Sequence, residues 1–138
     1  METRRRAPLA RGSATPHHSG QAIVEFALAS LLFLTIVFGT IDFGRAIFVS
    51  AELRNAAREG ARYGKIHPTN TGAIKSETVK YAVGTGLTSG GVGVSCTGSC
   101  KADDKVTVTA TVGFTAITQS ILGIGPLTLS SSSTARIE

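Results

Sequence analysis

The stretch FALASLLFLTIVFGTI, residues 26–41, decides the fold of this chain because it contains sixteen consecutive residues without a charge. At about 1.5 Å per helical residue, this run and the apolar residues just before it reach the roughly 30 Å of a bilayer's hydrocarbon core. A soluble helix buried on every side would need a larger protein around it, and the whole chain has only 138 residues. The run therefore predicts a transmembrane helix over residues 21–42.

The composition narrows the class of protein that contains this helix. The chain has 14 Lys and Arg against 9 Asp and Glu, a net charge of +5, yet only 17% of its residues are charged and 42% are hydrophobic. This balance excludes a disordered chain and leaves material for one domain with one core. Aromatic residues make up only 6%, with no tryptophan. We therefore expect a structural protein and not an enzyme, with no catalytic residue, cofactor, metal site or nucleic-acid partner.

Three interpretations compete for the N-terminus. A cleaved secretory signal has a basic and then an apolar segment, as here, but its apolar segment is usually only ~7 to 15 residues long and a small-residue site follows at once. The nearest such site, Val49-Ser50-Ala51, comes only after Asp42 and Arg45. A plain membrane anchor leaves Glu25 unexplained, because a carboxylate inside a spanning segment is costly unless it has a partner.

The third interpretation explains Glu25. This residue follows Gly20 by five positions in GQAIVEF, residues 20–26, and a short leader with four arginines precedes the glycine: Arg4, Arg5, Arg6 and Arg11. The arrangement resembles a type IV prepilin cleavage site, in which a membrane-embedded prepilin peptidase cuts after the glycine. The resemblance predicts a cut between Gly20 and Gln21. The new α-amino group of Gln21 on an adjacent subunit would then pair with Glu25, since two buried charges that neutralise each other cost less than two apart.

Arginine counts do not decide the orientation in the membrane. Four arginines precede the span, and four follow it: Arg45, Arg54, Arg58 and Arg62. The positive-inside count is a tie. A leader that must reach a peptidase on the cytoplasmic face requires the N-terminus inside, so we expect residues 43–138 outside the cytoplasm.

Residues 43–65 are expected to continue the helix beyond the bilayer, because they lack proline and are rich in helix-forming residues. Their apolar side is predicted to contain five residues, Phe43, Ile47, Leu53, Ala57 and Ala61. Three arginines at four-residue spacing form a basic stripe that is either a solvated face or a contact for anionic lipid headgroups or acidic neighbours: Arg54, Arg58 and Arg62. Small residues repeat as well, at Ala56, Gly60 and Gly64. They either let another helix approach closely or mark a fraying helix end.

Three segments together resemble the TadE-like family of pilin-like proteins from tight-adherence (Flp) pilus systems: GQAIVEFALA (20–29), FGTIDFGRAIF (38–48) and NAAREGARYG (55–64). The motif residues of that family fall on Gly20, Glu25 and Phe26, on Asp42, Phe43, Gly44 and Arg45, and on Ala56, Ala57, Arg58, Glu59, Gly60, Ala61 and Arg62. Many members carry a proline early in the apolar core, where this chain has Ser30 and Leu31. The resemblance implies a minor pilin or assembly factor that a prepilin peptidase processes, and not an enzyme.

Residues 66–138 are predicted to form a small head. Pro68 biases His67 away from the helical region and ends the long helix. A short helix is predicted over Ala73 to Val83, and alternation of apolar and polar residues predicts a strand from Lys105 to Val112. A last strand is predicted from Leu127 to Ile137, with its serine run (130–133) exposed or at an edge, and a weaker one over 91–95. Ala116 to Leu122 is read as one helical turn or a loop.

Two glycine-rich segments of the chain do not fit nucleotide-binding motifs. The segment GTGLTSGG (84–91) follows a helical pattern where a dinucleotide-binding loop would follow a strand, so a flexible turn is expected. Gly60 to Lys65 has the wrong spacing for a phosphate loop.

Cys96 and Cys100 are the only cysteines. Two thiols with a distant His67 cannot complete a tetrahedral zinc site, and a redox motif would need a two-residue spacer. A disulfide across a hairpin-like turn is favoured, which implies an oxidising compartment.

The sequence therefore predicts an α+β protein in four parts: a basic leader (1–20), a transmembrane helix (21–42), an extracytoplasmic helix extension (43–65) and a head (66–138) with a short helix and a three-stranded antiparallel sheet. The family resemblance implies a subunit of the bacterial cytoplasmic membrane that acts by helix packing in a surface appendage or its assembly machinery. Its expected partners are other pilin-like subunits, the prepilin peptidase, membrane assembly proteins and the lipid bilayer. The alternative is a membrane-tethered binding or adhesion domain. An extracytoplasmic enzyme has little support, since His67 is the only histidine after the leader.

Overall fold

A computed structural model describes the chain from residue 19 to residue 138, with the side chains of all these residues except 19, 120 and 121. The predicted basic leader, with its four arginines, lies outside the described residues as far as position 18. The chain divides into two compact units, one that ends at Leu34 and one from Thr35 to Glu138.

The first helix, α1, runs from Ser19 to Ile66. From Gly20 onward it is long and apolar enough to cross a membrane, and its most apolar window has no residue buried inside the protein. Large side chains in that window are exposed, as at Phe33, which is 65% exposed. The helix ends two residues before Pro68, as predicted from the constraint that proline places on His67.

The remaining elements form a small α+β arrangement within Thr35–Glu138. Helix α2 covers Thr71–Lys80, a 3₁₀ turn covers Ser89–Gly91, and helix α3 covers Ile117–Leu122. Strands β1 (Val92–Cys96), β2 (Lys105–Phe114) and β3 (Leu127–Arg136) form one antiparallel sheet in the order β1-β2-β3. The predicted α+β class and three-stranded sheet are confirmed, and β3, which contains the serine run, is an edge strand.

The sheet packs on the C-terminal part of α1, with β2 running in the opposite direction to the helix. Val106, at the start of β2, faces Gly64 near the end of α1, and Val108 faces Gly60 one turn earlier. At the other end of the strand, the Arg45 guanidinium lies over the Phe114 ring, 5.2 Å from its centroid. The chain therefore runs along β2 from the end of α1 back to the level of Arg45.

The core contains apolar residues of α1, α2 and the sheet. Leu53, Ile74 and Val108 are fully buried. The side of α1 predicted to be apolar is buried only from Val49 onward, because Phe43 and Ile47 are 66% and 54% exposed. Sequence alone did not distinguish them from core residues, since their spacing continues the same helical face.

Two further predictions differ from the structure. Helix α2 begins two residues before the predicted Ala73, because the Asn70 side chain caps it by accepting a hydrogen bond from the Ala73 N–H at 3.1 Å. It ends at Lys80, so that Val83 lies beyond the helix and is 70% exposed. The interpretation of Gly60 and Gly64 as a fraying helix end is wrong, since α1 continues through both.

Candidate functional site

The predicted cleavage and assembly residues lie in the first turns of α1. Gly20, Gln21, Glu25 and Phe26 are all exposed, and among residues 19–138 no atom beyond the neighbouring backbone of the helix lies within 4 Å of the position that a Cβ on Gly20 would occupy. Gln21 and Glu25 are four residues apart and so share one face of the helix, where they line a shallow depression together with Val24. Within residues 19–138, Glu25 has no ion-pair partner. The cut between Gly20 and Gln21 stays a prediction.

Asp42, the first charged residue after the apolar run, is bound to the head. Its carboxylate accepts hydrogen bonds from the backbone N–H groups of Ile117 and Thr118 at 2.9 and 2.8 Å, and from the Thr118 hydroxyl at 2.9 Å. Arg45 completes the set with an ion pair at 3.1 Å. The residue is only 5% exposed. Four donors therefore hold one buried carboxylate at the start of α3.

The bonds to Asp42 substitute for a missing helix cap. Ala116 stands at the N-cap of α3 and has no side-chain oxygen that could accept from the first free N–H groups of the helix. Asp42 accepts from two of them, although it lies 75 residues away from Ile117 in the sequence. A carboxylate at this position is also favoured by the helix dipole. The acidic position of the family motif thus has a structural role within this chain.

The neighbours of Asp42 in the motif differ in whether they contact the rest of the chain. Arg45 forms an ion pair with Asp42 and a cation–π contact with the Phe114 ring, so its guanidinium has two partners within the chain. Phe43 is exposed, and a Cβ on Gly44 would meet no atom within 4 Å. Packing inside the described residues does not explain either of these two identities.

The second motif segment separates into a buried and an exposed face. Its small residues are buried against α2 and the sheet: Ala56, Ala57, Gly60 and Ala61. A Cβ on Gly60 would overlap the Thr78 hydroxyl of α2 and come within 3.1 Å of Val108. The close approach predicted for this face therefore takes place within the chain, between α1 and its own α2 and β2.

The basic stripe lies on another face of the helix and is exposed, which both of its interpretations require. Arg54, Arg58 and Arg62 are all exposed. Arg62 lies 3.5 Å from Glu59, its neighbour one turn earlier on the helix. Such an exposed pair contributes little to stability.

Cys96 and Cys100 form the predicted disulfide, with their Cα atoms 5.4 Å apart. It closes the connection between β1 and β2, where Cys100 and Gly98 both have a positive φ. The carboxylate of Asp104 accepts from the N–H groups of Ser99 and Lys101 at 3.1 and 3.0 Å and so orders the same loop.

In the described part of the chain, residues 19–138, no three His, Cys, Asp or Glu side chains come together in a way that could hold a metal ion.

The most important contact that the sequence did not predict is the one between Asp42 and Thr118. Its only sequence signal is the alanine at the N-cap of α3, where a polar residue is usual.

Comparison with known proteins finds one family. The model of the TadE-like protein family matches residues 20–62, which is less than half of the chain. No curated protein and no solved structure matches the chain significantly. The matched segment contains all three motif groups that carried the resemblance. The resemblance is therefore confirmed over residues 20–62, which are similar to the TadE-like protein family.

Proposed function

We propose that this protein is a pilin-like minor subunit or assembly factor of a tight-adherence pilus or related secretion system, and that it acts through packing of its N-terminal helix. The observation that carries the proposal is the exposed apolar face of α1, with one carboxylate, Glu25, near its start. A membrane or a bundle of similar helices is the environment that such a surface requires. The TadE-like match over the same residues supports it.

The proposed location is the bacterial cytoplasmic membrane. The N-terminus would be cytoplasmic before processing, with residues 43–138 outside, and the processed subunit could then enter a surface pilus. The disulfide between Cys96 and Cys100 supports an extracytoplasmic head, since disulfides persist in oxidising compartments. The proposed partners are other pilin-like subunits, the prepilin peptidase, membrane assembly proteins of the pilus system and the lipid bilayer.

The proposed mechanism begins with cleavage after Gly20. Hydrolysis of that peptide bond would leave an α-amino group on Gln21, which is positively charged at neutral pH. This ammonium on one subunit would pair with the Glu25 carboxylate of a neighbour. Because an isolated charge is costly in hydrocarbon, the pair favours one register of helix against helix over others. Membrane insertion would store the subunit, and pairing would direct its assembly.

The first experiment determines the mature N-terminus. Mass spectrometry of the protein isolated from its native host should find a chain that begins at Gln21. In the Gly20→Leu variant the leader should remain attached, because a bulky side chain obstructs the close approach to the scissile bond, whereas Gly20→Ala serves as the small-residue control. A mature protein that begins at Met1 or at Glu52 would contradict the proposal.

The second experiment tests the role of Glu25. The Glu25→Gln variant should insert into the membrane at normal abundance, yet lose crosslinking between subunits and fail to form the appendage. Glu52→Gln is the matched control, since Glu52 lies in the same helix but beyond the apolar run. Normal crosslinking and assembly in Glu25→Gln would overturn the paired-charge mechanism and favour the tethered binding domain.

A further inference from the structure

The connection between β2 and β3 together with the first residue of β3, residues 115–127 and here called the apolar tip, exposes hydrophobic side chains that the proposed assembly role does not use. Four of them are between 45% and 55% exposed: Ile117, Leu122, Ile124 and Leu127. Lys, Arg, His, Asp and Glu are absent from the whole stretch 106–135. Exposed apolar side chains clustered in one segment indicate an interaction surface.

The two ends of the sheet differ in chemistry. The connection between β1 and β2 lies beside the end of α1 and contains charged residues such as Lys101 and Asp103. At the same end, Lys65 of α1 forms an ion pair with Glu138. The apolar tip lies at the opposite end of the sheet, since β2 runs from Gly64 back toward Arg45. The uncharged end of the sheet is thus the one nearest residues 35–41, the part of the apolar run that belongs to the same unit as the sheet.

Asp42 fixes this placement. It follows Ile41, the last residue of the uncharged run, and its carboxylate binds the N–H groups of Ile117 and Thr118 at the start of the tip. Exposed apolar side chains of the run reach this point, with Ile36 61% and Ile41 45% exposed. The charge of Asp42 is paired with Arg45, so that no unpaired charge separates the run from the tip. Ile41 and the start of the tip are therefore both next to Asp42.

We propose that the apolar tip lies in the interfacial layer of the lipid bilayer, beside the point where α1 leaves it. This inference rests on the membrane span proposed above. A bilayer that surrounds Ile41 would lie next to Asp42, and therefore next to the start of the tip, which Asp42 binds. Lipid is thus the occupant that the geometry favours over a second copy of the chain. Apolar side chains at this depth gain by leaving water without crossing the membrane. The head would then sit on the membrane by two attachments, the helix and the tip.

The experiment uses single tryptophans, because the natural chain has none. The full-length variants Leu122→Trp and Ile124→Trp are reconstituted in phosphatidylcholine vesicles with acyl chains brominated near the headgroup. Ile66→Trp is the matched control: Ile66 is 64% exposed and lies 24 residues, or roughly 36 Å, beyond Asp42 along α1. Phe33→Trp, in the middle of the apolar run, reports on the span itself in vesicles whose acyl chains are brominated near their ends.

The tip variants should show blue-shifted emission that brominated lipid quenches, as should Phe33→Trp, while Ile66→Trp should not be quenched. Circular dichroism that matches the natural chain shows that each variant is folded. If Phe33→Trp is quenched but both tip variants behave like Ile66→Trp, the inference is overturned while the span stands. If Phe33→Trp is not quenched, the span itself fails, and the inference with it. A blue shift at the tip that brominated lipid does not quench, and that disappears when the protein is diluted with lipid, would assign the surface to a second copy and also overturn the inference.

Discussion

Two stretches of α1 use apolar residues in opposite ways. In residues 26–41 the large side chains are exposed, with Phe33 65% exposed, whereas in residues 49–64 the small ones are buried, with Ala57 fully covered. The first stretch carries no charge, and the second carries arginines on its outer face. One continuous helix can therefore expose large apolar side chains where its partner lies outside the chain. Where it packs against its own head, it uses small side chains that allow close contact. Four experiments, each with its own variant, can break or sharpen this contrast.

The largest effect on head stability is expected from Leu53→Ala. Leu53 is fully buried, and truncation of such a leucine costs about 2–5 kcal/mol in the free energy of unfolding. Leu32→Ala is the matched control in the same helix, because Leu32 is 64% exposed and should leave head stability unchanged. Pulse proteolysis in urea, on full-length protein in detergent micelles, measures both. Equal destabilisation by the two variants would refute the division of α1 into two stretches.

A second pair of variants tests the close approach at Gly60. The added Cβ of Gly60→Ala would meet the Thr78 hydroxyl and Val108, and overpacking of this kind costs about 1–3 kcal/mol. Gly44→Ala, in the same helix, adds a Cβ in open space and should stabilise the isolated protein by up to ~1 kcal/mol through helix propensity. The same urea measurement gives both values. Opposite signs for the two glycines are the expected result, and equal signs would contradict it.

The pattern of apolar and polar residues predicted the main helices and strands, but it did not predict the contacts between them. Alternation at Val106, Val108 and Ala110 predicted β2 because the period of a strand is local, and the uncharged run predicted the apolar helix for the same reason. The start of α2 was not predicted correctly, because it depends on the Asn70 side chain that caps the helix. The bond from Asp42 to Thr118 could not be predicted, since nothing local relates residues that far apart. The family motif indicated that Asp42 mattered, but the resemblance gave no partner for it.

A third experiment measures how much the disulfide between Cys96 and Cys100 stabilises the head, at the end of the sheet beside the C-terminal end of α1. Replacement of both Cys96 and Cys100 by Ser should cost at most about 2 kcal/mol, because closure of so short a loop removes little entropy from the unfolded chain. The loop also keeps the hydrogen bonds to Asp104. Urea unfolding of the variant measures this loss. Native protein without reductant should not react with maleimide, and reaction of both thiols would show that the bridge is absent from the natural chain.

The smallest effect, and the most local one, is expected from Asp42→Asn at the other end of the sheet. Asparagine keeps one acceptor oxygen but loses the charge, so α3 loses part of its cap and Arg45 loses its ion pair, at a cost of about 1 kcal/mol. Hydrogen exchange should therefore accelerate at the amides of Ile117 and Thr118 while those of Val106 and Val108 in β2 keep their protection. Glu77→Gln, which breaks only the exposed pair with Lys80, is the control that should change neither set. Unchanged exchange at Ile117 in the Asp42→Asn variant would mean that α3 is held by its own packing, and that the acidic residue of the motif acts outside this chain.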